Sequence, residues 1–202
     1  MANFKTMIFD FGNVVAYFDH RVACQRLTDY CSLDAKKIYD LLFSADRLND
    51  RFERGELNPE EFLQELRGSL EIASSVGDSE LKQAWNDIFR PNRDVMDRLT
   101  DFKQECRLIL ASNTNPLHID FVITHPKFQK ALSCFDLSVL SYKVGHRKPD
   151  PRFFSKCIEM VGSDPAECLY LDDLPENVTA ARAAGLQSFQ YVKSLEDSIG
   201  GV

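Results

Sequence analysis

The segment Met7-Ile8-Phe9-Asp10-Phe11-Gly12-Asn13-Val14-Val15 is an apolar run interrupted by one carboxylate and a Gly-Asn pair. The apolar residues predict a buried β-strand, and the Gly-Asn pair predicts the turn that ends it. Asp10 therefore stands at the carboxyl end of a strand, the edge at which ligands bind in open α/β sheets. It is a candidate nucleophile or metal ligand. No second carboxylate follows at Gly12, where acid–base chemistry could use one.

Four further apolar runs along the chain have the character of buried strands. They are continuous rather than alternating, as is typical of parallel strands covered on both faces. Helical patterns separate them, including residues 94–104, a helix opened by Asp150-Pro151, and residues 176–184 ended by Gly185. The alternation predicts an α/β fold with a parallel sheet between two layers of helices. The five predicted strands are residues 6–9, 108–111, 137–140, 169–171 and 188–192.

Residues 16–90 differ from the rest, because they show helical periodicity and no convincing strand. Asn58-Pro59 opens one of the predicted helices, and Pro91 breaks the last pattern. The segment is too long for a βα loop, so we predict an inserted helical bundle. The predicted division is a core of residues 1–15 and 91–202 and a cap of residues 16–90. Because the insertion leaves the core just after Asp10, it is placed to act as a lid.

The composition limits the partners of the protein. The chain has 202 residues and a net charge of −7, which disfavours nucleic acid and anionic membranes as partners. The sequence contains no run of about 18 apolar residues, so no membrane span is predicted. The first strand begins so early that we expect no signal peptide. The six cysteines form no Cys-x-x-Cys pair, which is typical of reduced thiols. We expect a cytoplasmic protein, either a monomer or a homodimer.

Polar groups follow four of the predicted strands at their carboxyl ends. Asp10 follows the first strand and Ser112-Asn113-Thr114-Asn115 the second. A loop over residues 145–150 that contains Lys148 follows the third, and Asp172-Asp173 ends the fourth. Since the carboxyl ends of parallel strands meet at one edge of a sheet, we expect these groups to lie together.

This set supplies the parts that phosphoryl transfer needs. Asp10 can attack phosphorus and form an aspartyl-phosphate. The Ser112 hydroxyl and neighbouring backbone N–H groups, with Asn113, can bind the phosphate oxygens, and Lys148 supplies positive charge. Asp10 and Asp173 together form a hard oxygen site suited to Mg²⁺. The ion offsets the repulsion between carboxylates and phosphate and orients the phosphorus.

The motifs, in this order, resemble the four motifs of the haloacid dehalogenase (HAD) superfamily. The matching segments are Asp10-Phe11-Gly12-Asn13-Val14, Ser112-Asn113-Thr114, Lys148-Pro149 and Asp172-Asp173. The resemblance spans nearly the whole chain and implies a Rossmann-like core with a C1-type helical cap. It implies that Asp10 is the nucleophile, that Ser112 and Lys148 bind phosphate, and that Asp10, the Gly12 carbonyl and Asp173 hold Mg²⁺.

Two further positions are assigned around that site. Asp172 is expected to act behind the metal ligands, and Asn177 stands where many members of the superfamily carry an acid. The roles of Asp172 and Asp173 could be exchanged, although the alternation of a strand end favours Asp173 as the ligand. Ser112 could instead cap the following helix, and Lys143 and Arg147 are rivals of Lys148 for the phosphate.

Gly12 departs from most HAD phosphatases, which carry an aspartate there as general acid and base. The Asp-Phe-Gly-Asn-Val version resembles a branch that includes sugar-phosphate phosphatases and α-glucose-1-phosphate phosphatases. Loss of a general acid typically costs about 10²–10⁴-fold in rate. The sequence therefore predicts slow turnover or a leaving group that needs little protonation, unless a cap residue or a water substitutes.

Three functions remain in competition. The first is a Mg²⁺-dependent phosphatase acting on a small phosphorylated metabolite, such as a sugar phosphate. The second is a 2-haloacid dehalogenase that uses the same nucleophile on carbon, which Asp173 disfavours because that chemistry needs no metal. The third is a HAD-fold binding protein of low or no activity, suggested by Gly12. A kinase Asp-Phe-Gly motif is excluded, since no glycine-rich loop or His-Arg-Asp catalytic loop precedes it.

Overall fold

The computed structural model describes residues 4–44 and 47–199. The ends of the predicted core (1–3 and 200–202) and two residues of the predicted cap (45–46) lie outside these ranges. The described strands are β1 (Thr6–Phe9), β2 (Ala16–Phe18), β3 (Phe89–Pro91), β4 (Arg107–Ser112), β5 (Leu137–Leu140), β6 (Cys168–Asp172) and β7 (Gln187–Gln190). Five of them form a parallel sheet in the order β5-β4-β1-β6-β7, which confirms the predicted fold class.

The helices follow the capping signals of the sequence closely. Asn58 and Glu61 form a reciprocal capping box at the start of one helix, and Asp150 caps another. They are α1 (His20–Leu27), α2 (Ala35–Phe43), α3 (Leu48–Glu53), α4 (Pro59–Leu70), α5 (Asp78–Asn86), α6 (Arg93–Met96), α7 (Leu99–Glu105), α8 (Pro116–Thr124), α9 (Pro126–Leu132), α10 (Ser141–Val144), α11 (Pro151–Val161), α12 (Pro175–Ala183) and α13 (Leu195–Ile199), with a 3-10 turn at Pro165–Glu167. Within the described ranges, none of these helices has the length and apolarity to cross a bilayer.

The helix predicted over residues 94–104 is interrupted rather than continuous. It is divided into α6 and α7 at Asp97 and Arg98, where the Arg98 N–H bonds to the Val95 carbonyl three residues back. A change from four-residue to three-residue hydrogen bonding tightens the turn and redirects the chain. The spacing of apolar side chains in the sequence does not reveal this break in the hydrogen-bonding pattern.

Alternate residues of the central strands pack on opposite faces of the sheet. Phe9 belongs to the core cluster on one face and Ile8 to the cluster on the other. Phe9 pairs with Leu110 of β4 and with Leu171 of β6. The residues that follow those partners therefore lie level with Asp10, so the register itself sets the position of the acidic strand ends.

The prediction that residues 16–90 contain no strand is wrong. β2 pairs antiparallel with β3, with Phe18 opposite Phe89, so the two crossings of the insertion form a short ribbon. Each strand has three residues, too few for alternation to be visible in a sequence. Between them, α1–α5 surround their own apolar cluster, which includes Phe52, Phe62 and Trp85. The exact division between core and cap stays a prediction.

A glycine closes the contact between α3 of the insertion and α10 of the core. Gly55 has φ +71°, and a Cβ placed on it would lie 2.2 Å from the Tyr142 carbonyl oxygen. The left-handed conformation disfavours any side chain, and backbone cannot move away as a flexible side chain can. Gly55 thus permits the close approach of these two segments.

We predict that Gly55→Ala lowers the free energy of unfolding by more than about 2 kcal/mol, because backbone strain adds to the clash with Tyr142. Urea denaturation measures the change. The matched control is Gly68→Ala in α4, where a Cβ meets nothing within 4 Å. That exposed helical position should gain about 0.5–1 kcal/mol. Equal stability of the two variants would contradict the argument.

Candidate active site

The ammonium group of Lys148 lies between two buried carboxylates at the carboxyl end of the sheet. Its Nζ donates to Asp10 Oδ1 at 2.6 Å, to Asp172 Oδ2 at 2.7 Å and to the Ala111 carbonyl at 2.9 Å. Lys148 is only 5 % exposed, and three bonds satisfy all its donors. Burial opposes its charge, but the two carboxylates outweigh burial and raise the pKa of Lys148. The predicted strand ends of β1, β4 and β6 are thereby joined.

Asp172 is enclosed on all sides by donors. Besides Lys148, its oxygens accept from the Tyr170 hydroxyl at 2.5 Å, the Leu174 N–H at 3.0 Å and Asn177 Nδ2 at 2.9 Å. Burial resists ionisation of Asp172, but Lys148 and these hydrogen bonds hold its pKa below the usual value. A carboxylate with both oxygens occupied in this way orients its neighbours rather than binding a ligand.

Asp10, Asp172 and Asp173 each place one carboxylate oxygen in a group whose members lie within 4.8 Å of one another. Burial raises the pKa of Asp10 to about 8, and Asp172 and Asp173 oppose its ionisation while Lys148 favours it. Burial also raises the pKa of Asp173, which accepts one bond from Asn13 at 3.0 Å. One ammonium group does not balance three clustered acids, so the cluster suits a hard divalent cation.

A second observation supports a ligand at this cluster. Asn177 is 2 % exposed; its Nδ2 is bound to Asp172, but its Oδ1 has no hydrogen-bond partner among the described residues. Buried carbonyl oxygens are usually hydrogen-bonded, and a metal-bound water is one donor that could satisfy this one. Asn177, Asp10, Gly12 and Asp173 line the same cavity. The residues predicted to hold Mg²⁺ therefore fit that ion in number and chemistry.

The loop after β4 also reaches the carboxylate cluster, but the Asn113 side chain in it bonds to protein backbone. Asn113 Oδ1 accepts from the Lys148 N–H at 2.7 Å, and its Nδ2 donates to the Lys148 carbonyl at 2.9 Å. Both polar atoms of the Asn113 side chain are thus used to hold the Lys148 backbone. Ser112 is buried and lines a recess of about 40 Å³ next to Gly12. The alternative of Ser112 as a helix cap is wrong, because Asn115 caps α8.

The two rivals of Lys148 point elsewhere. Arg147 binds the insertion, with NH1 2.6 Å from Asp50 Oδ1 and Nε 2.7 Å from Glu53 Oε2. The Lys143 ammonium lies over the ring of Tyr142, 5.8 Å from its centroid. Only Lys148, among these three, reaches Asp10.

Phe18 occupies the space that a side chain at position 12 would need. A Cβ on Gly12 would lie 2.5 Å from Cε1 of Phe18. The Phe18 ring is itself packed, with its centroid 5.0 Å from that of His20 and 6.3 Å from that of Phe89. The absence of a carboxylate at Gly12 is therefore built into the surrounding packing.

A cavity of about 280 Å³ unites the strand-end residues with the insertion. Asn113 and Lys148 line it from the core. The sequence did not single out the α3 residues of the wall contributed by the insertion, because polar residues of a short helix give no signal until its buried face is known. The insertion residues that line the cavity are Phe18, His20, Tyr39, Phe43, Asn49, Asp50 and Glu53.

Two stacked histidines join the insertion to the core. His118 of α8 bonds through Nδ1 to Asn115 at 3.1 Å and through Nε2 to the Trp85 carbonyl at 3.3 Å. Its ring lies 5.3 Å from that of Trp85 and 6.0 Å from that of His20. Burial lowers the pKa of His118 to about 3 and of His20 to about 4. Both imidazoles are therefore neutral parts of a packed joint.

Comparison with known proteins adds independent information. A family model described as haloacid dehalogenase-like hydrolase matches residues 4–185. The chain is 30 % identical over 191 residues to a D-ribitol-5-phosphate phosphatase of Bacteroides thetaiotaomicron, covering 92 % of this chain and 91 % of that protein. It is 24 % identical over 193 residues to a sesquiterpene phosphatase of Aspergillus oryzae, covering 95 % and 92 %.

A solved structure agrees over the same extent. A crystal structure of a HAD-family enzyme from Bacteroides thetaiotaomicron, in complex with magnesium and inorganic phosphate, superimposes with a TM-score of 0.81. The identity is 25 %, and the match covers 94 % of this chain and 93 % of that one.

The histidine joint predicts a specific dependence of stability on pH. Because burial lowers the pKa of His118 from 6.5 to about 3, the unfolded chain binds a proton that the folded chain does not as the pH falls below 6.5. The stability contributed by neutral His118 should fall by about 2 kcal/mol between pH 7 and pH 5. Urea unfolding at both values should show a smaller loss, or a larger gain, for His118→Gln than for the wild type.

The comparison between the two proteins isolates the histidine. Buried carboxyl groups with raised pKa values, such as Asp10, contribute in the opposite direction, but they contribute equally to both. An identical change in the two proteins would contradict the assignment of His118 as a buried neutral group.

Proposed function

This chain belongs to the haloacid dehalogenase-like hydrolase family, and from that premise we propose that it is a Mg²⁺-dependent phosphatase acting on a small phosphorylated metabolite. One observation carries the proposal. The Lys148 ammonium is bound to Asp10 and Asp172 together, beside Asp173, at the edge of the sheet where a ligand can enter. A nucleophilic carboxylate beside a fixed cation is the arrangement that phosphoryl transfer requires.

In the proposed reaction, Asp10 attacks phosphorus and forms an aspartyl-phosphate while the leaving group departs with its oxygen. Water then cleaves the acyl-phosphate and releases inorganic phosphate. Lys148 holds Asp10 in position and supplies positive charge beside the phosphate, and the Ser112 hydroxyl and the Asn113 N–H bind phosphate oxygens. The Asn113 side chain fixes the backbone of Lys148 and so helps to set the position of its ammonium group beside Asp10.

The metal would be held by Asp10, the Gly12 carbonyl and Asp173. When bound, Mg²⁺ supplies positive charge against the phosphate and orients it for attack. Asp172 supports the site from behind, since its oxygens are already occupied by Lys148, Tyr170 and backbone. Asn177 orients Asp172 through its Nδ2.

A sugar phosphate or related phosphate is the proposed substrate. The similarity to a protein named D-ribitol-5-phosphate phosphatase supports this class. The dehalogenase alternative is weakened by the clustered acids, since an anionic substrate bound without a metal gains nothing from Asp173. The oligomeric state, monomer or homodimer, stays a prediction, and so does the cytoplasmic location. All six cysteines fall in the described ranges and are free thiols, which supports a reducing compartment.

We predict that Asp10→Asn lowers Mg²⁺-dependent release of phosphate by at least about 10³-fold, because the amide cannot form the covalent intermediate. Phosphate release from a panel of sugar phosphates, with Mg²⁺ and with EDTA, measures the effect. Asp97→Asn changes an exposed acid of the same type, paired only loosely with Arg93 at 3.6 Å, and should match the wild type.

The same assay separates the three functions. Halide release from 2-haloacids without Mg²⁺ would favour the dehalogenase. A wild-type rate no higher than that of Asp10→Asn on every phosphate would favour a binding protein.

We further predict that the rate depends steeply on the leaving group. Because Gly12 replaces a general acid, the rate with alkyl phosphates should be about 10²–10⁴-fold lower than in an enzyme that protonates the leaving group. The rate with p-nitrophenyl phosphate should be little affected, because its leaving group needs no proton. Gly12→Asp alone should not restore the rate, because its Cβ would lie 2.5 Å from the Phe18 ring. The double variant Gly12→Asp/Phe18→Ala should raise kcat on alkyl phosphates above either single variant.

Phe18→Ala alone is the control, since it opens the same space without adding a carboxyl group. A leaving-group dependence that is flat in the wild type, with chemistry shown to be rate-limiting, would refute the role assigned to Gly12.

A further inference from the structure

The residue after Gly12 has a backbone conformation that glycine adopts more easily. Asn13 has φ 56°, and in the part of the chain that the structure describes only one other non-glycine residue, Glu71, has a positive φ. Asparagine is tolerated in this left-handed region better than most residues, but its β-carbon still costs free energy that glycine avoids. Backbone conformation alone would therefore favour glycine at position 13. The side chain of Asn13 has to contribute something that glycine cannot.

That side chain holds one of the proposed metal ligands. Asn13 Nδ2 donates to Asp173 Oδ2 at 3.0 Å, and Asn13 and Asp173 line the same cavity. Within residues 4–44 and 47–199, no other side chain hydrogen-bonds to the Asp173 carboxylate or forms an ion pair with it. Gln190 bonds to Asp173 as well, but through the Asp173 main-chain carbonyl at 2.9 Å. Among these side chains, Asn13 is therefore the one that orients the carboxylate.

Asp173 needs this support more than the other two acids of the cluster. Asp172 is fully buried and accepts from Lys148, Tyr170 and Asn177, and Asp10 is buried against Lys148. Asp173 is only half-buried, although one of its oxygens belongs to the same group of three. A ligand that is free to rotate loses conformational entropy when it binds an ion, whereas a ligand that is already oriented does not.

The two common divalent cations differ in how much they depend on oriented ligands. Mg²⁺ requires near-ideal octahedral geometry, whereas Ca²⁺ accepts a variable number of oxygen ligands in flexible arrangements. Loss of the bond from Asn13 should therefore weaken Mg²⁺ binding more than Ca²⁺ binding. An amide is also suited to the task chemically, because it donates a hydrogen bond without adding a fourth negative charge to the cluster.

We propose that Asn13 is a positioning residue of the metal site, which orients Asp173 and so sets both the affinity for Mg²⁺ and the preference for Mg²⁺ over Ca²⁺. This inference rests on the proposed Mg²⁺-dependent function and assigns a role to a side chain outside the ligand set. Groups that orient metal ligands typically contribute about 10–100-fold in affinity.

The test measures metal binding directly, by titration calorimetry with Mg²⁺ and with Ca²⁺ in the absence of substrate. Asn13→Gly keeps the positive φ and removes the amide. It should raise the Kd for Mg²⁺ by about 10–100-fold and the Kd for Ca²⁺ by much less, so the ratio of the two constants changes. The Mg²⁺ concentration that gives half-maximal phosphate release from phenyl phosphate should rise by the same factor as the Kd.

Glu71→Gly is the matched control. Glu71 also has a positive φ, 54°, but it follows α4 on the surface of the insertion and does not line the cavity. Its replacement relieves the same backbone conformation and should leave both metal affinities unchanged. An equal change of the ratio in Asn13→Gly and Glu71→Gly would overturn the proposal.

A second variant separates hydrogen bonding from charge. Asn13→Asp keeps the shape of the side chain and tolerates a positive φ, but an ionised carboxylate cannot donate to Asp173. Its added charge attracts both cations, so the individual affinities change, yet the preference for Mg²⁺ over Ca²⁺ should fall as it does in Asn13→Gly. An unchanged preference in either variant would overturn the proposal, and so would an equal loss of affinity for both ions in Asn13→Gly.

The same measurements distinguish this proposal from the proposed function. If the wild type binds Mg²⁺ but releases no phosphate from phenyl phosphate, the phosphatase function has failed, and the affinities still decide the role of Asn13. If the wild type binds no Mg²⁺, the metal site is wrong and the proposal falls with it.

Discussion

The site depends on the sharing of one ammonium group by two buried carboxylates. Asp10 and Asp172 are 7 % and 0 % exposed, and Lys148 is the cation between them. Buried charges are tolerated only when they are paired, and removing one partner typically costs about 3–5 kcal/mol. The interaction joins β1, β4 and β6 at the point where chemistry would occur. Asp10, the proposed nucleophile, is therefore held in place by the same contacts that hold the sheet edge together.

Adjacent residues of one loop serve the core and the insertion. Lys148 turns inward to Asp10, while Arg147 turns outward to Asp50 and Glu53. Arg147 thereby ties the insertion to the loop whose backbone carries Lys148. Asn113 fixes that backbone from the other side with two hydrogen bonds. The wall of the cavity that the insertion supplies and the cation beside Asp10 are thus connected through two adjacent residues.

The core could be predicted from the sequence because each strand ends on a chemically distinct residue. An apolar run followed by Asp10, and another followed by Asp172-Asp173, define both the strand and its direction. The wall of the insertion could not be predicted in the same way. Asn49 and Glu53 lie on a six-residue helix, which is shorter than two turns and shows no periodicity that distinguishes its buried face. The obstruction of Gly12 by Phe18 is also invisible in sequence, since it depends on the course of β2.

The ribbon of β2 and β3 has a consequence for the history of this architecture. Because Phe18 lies opposite Phe89, the chain enters the helical insertion and leaves it at adjacent points. Joining ends that are already close costs little conformational entropy, whatever length of chain lies between them. The core can therefore accept a bundle of different size without altering its strands. Exchange of the whole insertion is a route by which such a protein can acquire a new substrate while its reacting groups stay unchanged.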